Sequence, residues 1–202
     1  TAHAICENLK GADMVIDIHS SNIFLREIPQ VRINENDADR LVPFAKLLNT
    51  DFIWVHDAAT VLEATLAYSL NSTGTDTLVV EMGVGMRINE SLGDKLVTGI
   101  LNLLSHFGMW KMTVDDVITN PIVSSGDEVS FVNALASGVF ITDVKNSIVV
   151  DKGECIGKIV DPLTGDVMQE VLSPVHGLLF TLRAYPVVYE GSLLARIHLI
   201  NN

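Results

Sequence analysis

Three short apolar runs in this chain each end in a side chain able to bind a metal or move a proton: His19, His56 and Glu81. Met14–Ile18 is almost continuously apolar and stops abruptly at His19-Ser20-Ser21. A run this short and apolar reads as a buried strand with helices on both faces. Open α/β sheets bind ligands at the carboxyl ends of their strands, which is where His19 falls. Side chains alternate along a strand, so Asp17 and His19 leave the same face. An acid two residues before a histidine can orient it as a metal ligand or as a base. A strand that merely ends in a polar residue reads equally well from so short a pattern. Thr77–Glu81 repeats the design with a carboxylate at its end. A histidine and a carboxylate on neighbouring strand ends suit metal-assisted hydrolysis. A catalytic zinc takes three protein ligands and keeps one position for water. A carboxylate nearby removes the water's proton and returns it to the leaving amine. On this reading His19 is a ligand and Glu81 the base. His56 reads as an ordinary strand-end residue, and His3 and His106 as polar helix positions.

The elements that must hold these residues alternate strand and helix. Ala2, Ile5 and Leu9 recur at helical spacing with Thr1 as a cap. A chain that opens inside an amphipathic helix, without an initiator methionine, is expected to be a piece of something longer. Ser20–Asn34, carrying Arg26, Pro29 and Arg32, reads as a long loop with a short strand at Gln30–Ile33. Glu35–Asn49 is helical, with a kink or a fresh start at Pro43. Asp51–His56 is a strand, and Val61–Leu70 a helix stopped by Asn71-Ser72-Thr73-Gly74. Ser91 with Asp94 resembles a capping box for a helix running to Phe107, with Gly108 ending it. Residues 1–112 therefore form an α/β domain with a site along one sheet edge.

From Thr113 valine, isoleucine, glycine and turn residues take over, as in an all-β module spanning 113–202. It repeats internally. Gly138-Val139-Phe140, followed by Val149 to Ile159, matches Gly177-Leu178-Leu179, followed by Val187 to Ile197, with one residue of slack. Two β units related by a two-fold and sharing one core are expected. The turn between them is Asp161-Pro162-Leu163-Thr164-Gly165-Asp166.

Composition removes several function classes. The 202 residues are 48% hydrophobic and 19% charged, which describes a core-forming chain. A net charge of -12, with 13 scattered basic residues, argues against nucleic acid or an anionic membrane as partner. No apolar run reaches the roughly 20 residues of a membrane span, and no secretion signal is visible. Cys6 and Cys155 form no C-x-x-C, so a disulfide framework or zinc knuckle is not expected. A cytoplasmic location is the default.

Ala12-Asp13-Met14-Val15-Ile16-Asp17-Ile18-His19-Ser20, followed by Thr77-Leu78-Val79-Val80-Glu81-Met82-Gly83, resembles the succinylglutamate desuccinylase/aspartoacylase family. The resemblance extends through the β module and implies a zinc-dependent deacylase of small N-acyl amino acids. The implied fold is α/β, a carboxypeptidase-like mixed sheet flanked by helices, followed by a C-terminal all-β barrel-sandwich domain of the biotinyl/lipoyl kind. It makes His19 the third zinc ligand and Glu81 the general acid/base. Asp17 is kept as a partner behind the ligand, and Arg26 and Arg87 as candidates for the substrate carboxylate by loop position. The family's first two ligands lie in an upstream H-x-x-E, which occurs nowhere in the 202 residues. The chain is thus expected to be the C-terminal part of such an enzyme, partnered by an N-terminal segment or by a second copy. Alone it is expected to hold no tight zinc. The alternative is a non-catalytic fragment or binding protein with an incomplete metal site. The β module is expected to carry no cofactor, because its hairpin Asp161–Asp166 presents no lysine.

Overall fold

A computed structural model of the chain describes residues 2–57, 64–112, 114, 117 and 120–200. Thr1, the first residues of the helix expected over Val61–Leu70, and the boundary residue Thr113 lie outside the described residues. The chain divides into two units. The first comprises Thr1–His19, Pro29–Met82 and Ile88–Gly126, and the second Ser20–Ile28, Gly83–Arg87 and Asp127–Asn202. No described helix is long and apolar enough to cross a membrane.

In the first unit the strands are β1 (Val15–His19), the later part of β2 (Leu25–Asn34), β3 (Phe52–His56), β4 (Thr77–Gly83) and β5 (Ile122–Ser124). The helices are α1 (Ala2–Leu9), α2 (Ala38–Ala45), α3 (Leu66–Asn71) and α4 (Glu90–His106). Neighbouring strands run in the order β1-β4-β2-β3-β5. β1 is parallel to β4, β2 to β3 and β3 to β5. Alternation sorts the faces. Val31, Ile33, Ile53, Leu78 and Val80 turn to one side and bury against Leu41, Ala45 and Leu48, with Leu96 and Leu103 of α4. α4 can come this close because Gly99 has no side chain: a Cβ there would lie 2.0 Å from the Leu48 carbonyl oxygen.

Three expectations need correction. The loop expected over Ser20–Asn34 is mostly β2, a strand of 10 residues. Glu27 and Gln30 break its apolar pattern yet are 2% and 0% exposed. Glu27 accepts hydrogen bonds from the Thr181 hydroxyl and, at 3.0 Å, from Arg196, partners no local pattern reveals. The helix expected over Glu35–Asn49 is a 3₁₀ turn, Glu35–Asp37, followed by α2. Asn34 caps the turn, its side chain accepting from the Asn36 N–H at 2.9 Å. α2 ends early, and Asn49 takes a left-handed φ of 55° that no helix continues through. The cap of α4 is Asn89, not Ser91: the Asn89 Oδ1 accepts from the Leu92 N–H at 3.3 Å and from the Ser91 hydroxyl at 2.8 Å. The expected stop does hold, since Gly108 has φ +72° and donates to the Ser105 carbonyl at 3.0 Å.

The second unit is antiparallel. Its strands are β6 (Val129–Asn133), β7 (Gly138–Ile141), β8 (Ile148–Val150), β9 (Cys155–Val160), β10 (Val167–Leu172), β11 (Gly177–Arg183), β12 (Val187–Val188) and β13 (Leu193–Leu199). The repeat is larger than the sequence displays, with β6–β9 answering β10–β13. Each half pairs strands with the other: β6 with β13, β8 with β11, β10 with β9, and β12 with β7. Gly138 stands opposite Val188, and its counterpart Gly177 opposite Val150. A Cβ on Gly138 would meet the Val160 carbonyl oxygen at 2.5 Å, and one on Gly177 the His198 carbonyl oxygen at 2.1 Å. The turn glycines Gly153 and Gly191 match as well, with φ of +86° and +83°. One core of Phe140, Val150, Ile156, Ile159, Leu179, Val188, Leu194 and Ile197 serves both halves. Leu25 and Glu27 of β2 pair with Arg183 and Thr181 of β11 in this unit.

Candidate functional site

The strand register of the first unit gathers the chemistry. Asn71 pins the start of β4, accepting from the Thr77 N–H at 2.8 Å and donating to the Thr77 carbonyl at 3.0 Å. The start of β1 is fixed by the Val15 N–H donating to the Asp76 carbonyl at 2.8 Å. The ladder then sets Val15 opposite Thr77 and, four residues on, His19 opposite Glu81. Alternation puts Asp17 on the same face as His19. On β2 and β3 the register sets Arg32 opposite Trp54 and Asn34 opposite His56. The face turned away from Val31, Ile33 and Leu78 thus carries a row at the carboxyl end of the sheet: Asp17 and His19, then Glu81, then Arg32, then Trp54 and His56.

Within the row, the His19 Nε2 lies 3.2 Å from the Asp17 Oδ2. In that arrangement the carboxylate orients the imidazole, and the nitrogen offered outward is Nδ1. The Arg32 guanidinium lies 3.3 Å from the Glu81 Oε1, with the two side chains 25% and 13% exposed. Its guanidinium carbon is 5.6 Å from the centre of the Trp54 ring. The Trp54 and His56 rings follow, their centres 5.2 Å apart.

A catalytic zinc needs three convergent protein ligands. Among the described residues no three of His, Cys, Asp and Glu come together to hold a metal ion. The donors among the described residues do not by themselves make up a zinc site: the imidazole of His19, with Asp17 against its ring, is a single donor.

His19, Asp17 and Glu81 fall together on one face. Arg26 and Arg87 are exposed residues of the second unit. Sequence reasoning missed Arg32 and Trp54. The signal was present in Gln30-Val31-Arg32-Ile33-Asn34, where Val31 and Ile33 alternate with three polar residues, but Arg32 was read as part of a loop.

A family model described as the succinylglutamate desuccinylase/aspartoacylase catalytic domain matches residues 1–107. No curated protein gave a match. Among solved structures the chain is similar to a succinylglutamate desuccinylase from Silicibacter sp. TM1040, with TM-score 0.81, 17% identity, and coverage of 99% of this chain and 61% of that one. It is similar to the product-bound ectoine utilization protein EutE (DoeB) from Ruegeria pomeroyi, with TM-score 0.78, 18% identity, and coverage of 94% and 59%. A succinylglutamate desuccinylase/aspartoacylase from Rhodobacter sphaeroides gives TM-score 0.76, 20% identity, and coverage of 95% and 59%. These likenesses are in fold, a mixed α/β architecture. The chain spans about three fifths of the length of the structures it matches, 59–61% for these three.

Proposed function

The chain belongs to the succinylglutamate desuccinylase/aspartoacylase family, and we propose that it carries part of the active site of a zinc-dependent deacylase acting on a small N-acyl amino acid. Glu81 is the proton-transfer group. As a water oxygen attacks the amide carbonyl carbon, Glu81 takes the water's proton. As the C–N bond breaks, it passes that proton to the departing amine, leaving a carboxylate and an amino acid. Polarisation of the carbonyl is the chemistry a zinc ion supplies when bound. His19 is the ligand this chain offers, with Asp17 fixing its ring, and the other donors come from outside the described residues. Arg26 and Arg87 are the candidates for the substrate carboxylate. The β repeat is read as a barrel-sandwich module without a cofactor, and the protein as a cytoplasmic hydrolase.

The observation that carries this reading is the register that sets His19 opposite Glu81 at the carboxyl end of two parallel strands. The test is Glu81→Gln in the protein that carries this chain, assayed with N-acetylaspartate and N-succinylglutamate. Turnover should fall by at least ~10²-fold at unchanged zinc content, because the amide keeps the shape and loses the basicity. Near-normal hydrolysis by that variant sinks the role. The alternative, a binding protein of the same fold, draws on the lack of three convergent ligands among the described residues. A zinc-loaded protein that binds an N-acyl amino acid without cleaving it would favour that alternative.

A further inference from the structure

We infer that Arg32 is a positioning residue for Glu81, holding its carboxylate at the angle proton transfer requires; this rests on the reading of Glu81 as the acid/base. β2 lies between β4 and β3, so Arg32 has Glu81 on one side and Trp54 on the other. Its guanidinium reaches the Glu81 Oε1 at 3.3 Å while stacking toward the Trp54 ring at 5.6 Å. A glutamate has three side-chain torsions, and a catalytic group must be held to within about 0.5 Å of its working geometry. Glu81 lies on the face opposite Leu78 and Val80 of the aliphatic core, where the Arg32 guanidinium is its charged neighbour. The ion pair supplies the hold. At 3.3 Å the Arg32 Nη1 and Glu81 Oε1 are within ion-pair distance. The Trp54 ring lies on the other side of the guanidinium, its centre 5.6 Å from the guanidinium carbon. A lysine would supply the charge but neither the plane nor the stack. With Arg32 and Glu81 25% and 13% exposed, solvent screens the pair less than an exposed ion pair.

The test is a double-mutant cycle in the protein that carries this chain, with N-acetylaspartate or N-succinylglutamate as substrate. Arg32→Met should lower kcat about 10- to 100-fold, the range for a misplaced catalytic group, with KM changed less than about twofold. Arg32→Lys should recover only part of the loss. In the Glu81→Gln background Arg32→Met should cost less than about twofold, because its action passes through Glu81. An undiminished loss in that background overturns the inference while leaving Glu81's role intact. Near-normal activity of Glu81→Gln alone instead overturns the functional reading. Should Arg32→Met not fold, Trp54→Leu takes its place in the cycle, with the same expected coupling. A crystal structure of Arg32→Met or Arg32→Lys gives a readout independent of turnover. Glu81 should leave its present rotamer or spread over several, and a Glu81 side chain unmoved in both variants refutes the proposal.

Discussion

His19 takes its orientation from a residue two positions earlier, the shortest distance at which a strand can place two side chains on one face. The Asp17 carboxylate at 3.2 Å from the imidazole is therefore a local device that needs only β1 to be a strand. Its expected effect is on the ring's hold on a metal. Asp17→Asn keeps the size and removes the charge, and in the protein that carries this chain together with the remaining donors it should weaken zinc binding by about 10- to 100-fold. Competition against a chelator of known affinity measures it, and an unchanged zinc affinity would show that Asp17 does not serve the ligand. Glu81 and Arg32 are of the opposite kind. Their meeting at 3.3 Å depends on β4 and β2 lying side by side, although the two residues lie far apart in the chain. Spacing along the chain could nominate Asp17 and His19 as a pair, but it could not couple Arg32 to Glu81.

The β repeat shows what glycine does at the level of elements. Gly138 and Gly177 hold equivalent places, each with a backbone carbonyl where a Cβ would go. Gly138→Ala and Gly177→Ala should each destabilise by about 1–3 kcal/mol, the cost of forcing atoms into packed space. Gly93→Ala should do the reverse. That glycine lies within α4 with nothing inside 4 Å of the added methyl, so alanine should stabilise by about 0.5–1 kcal/mol. Urea unfolding of the three variants gives the signs. A neutral Gly177→Ala would mean that β11 and β13 can separate at that point without cost. The ends of β1 at His19 and β3 at His56 were legible from their apolar runs, whereas β4 continues past Glu81 to Gly83, and β1, expected to be buried, lies at the sheet edge with Ile18 52% exposed. The β7–β9 and β11–β13 repeat was legible because its glycines and valines recur. β6 and β10 were not, since Val129-Ser130-Phe131-Val132-Asn133 and Val167-Met168-Gln169-Glu170-Val171-Leu172 share a place in the pairing but little residue pattern. β2 was hidden for a different reason. Its buried Glu27 is satisfied by Thr181 and Arg196, and a strand stabilised by distant polar partners looks like a loop from its own sequence.

For the whole molecule the governing question is how many metal donors the chain can bring to one point. His19 on β1 offers one imidazole, with Asp17 3.2 Å from its Nε2. His56 is the only other histidine at the carboxyl end of a described strand of the first unit, and it sits on β3. The order β1-β4-β2-β3 puts three strand spacings between them, roughly 14 Å at about 4.8 Å each. No zinc ion can bridge that distance with bonds of about 2 Å. Glu81 stands opposite His19, 3.3 Å from the Arg32 guanidinium, and on the proposed reading, in which it carries protons, it is not free to serve as a ligand. The 202-residue chain should therefore bind zinc weakly, as a single imidazole does. After dialysis against a mild chelator, metal analysis should find well under one equivalent per chain. Addition of zinc should leave the thermal midpoint unchanged at micromolar concentration, because an ion that binds the native state weakly stabilises it little. One retained equivalent, together with hydrolysis of an N-acyl amino acid, would mean that further donors converge on His19 and that the ligand set is larger than one imidazole.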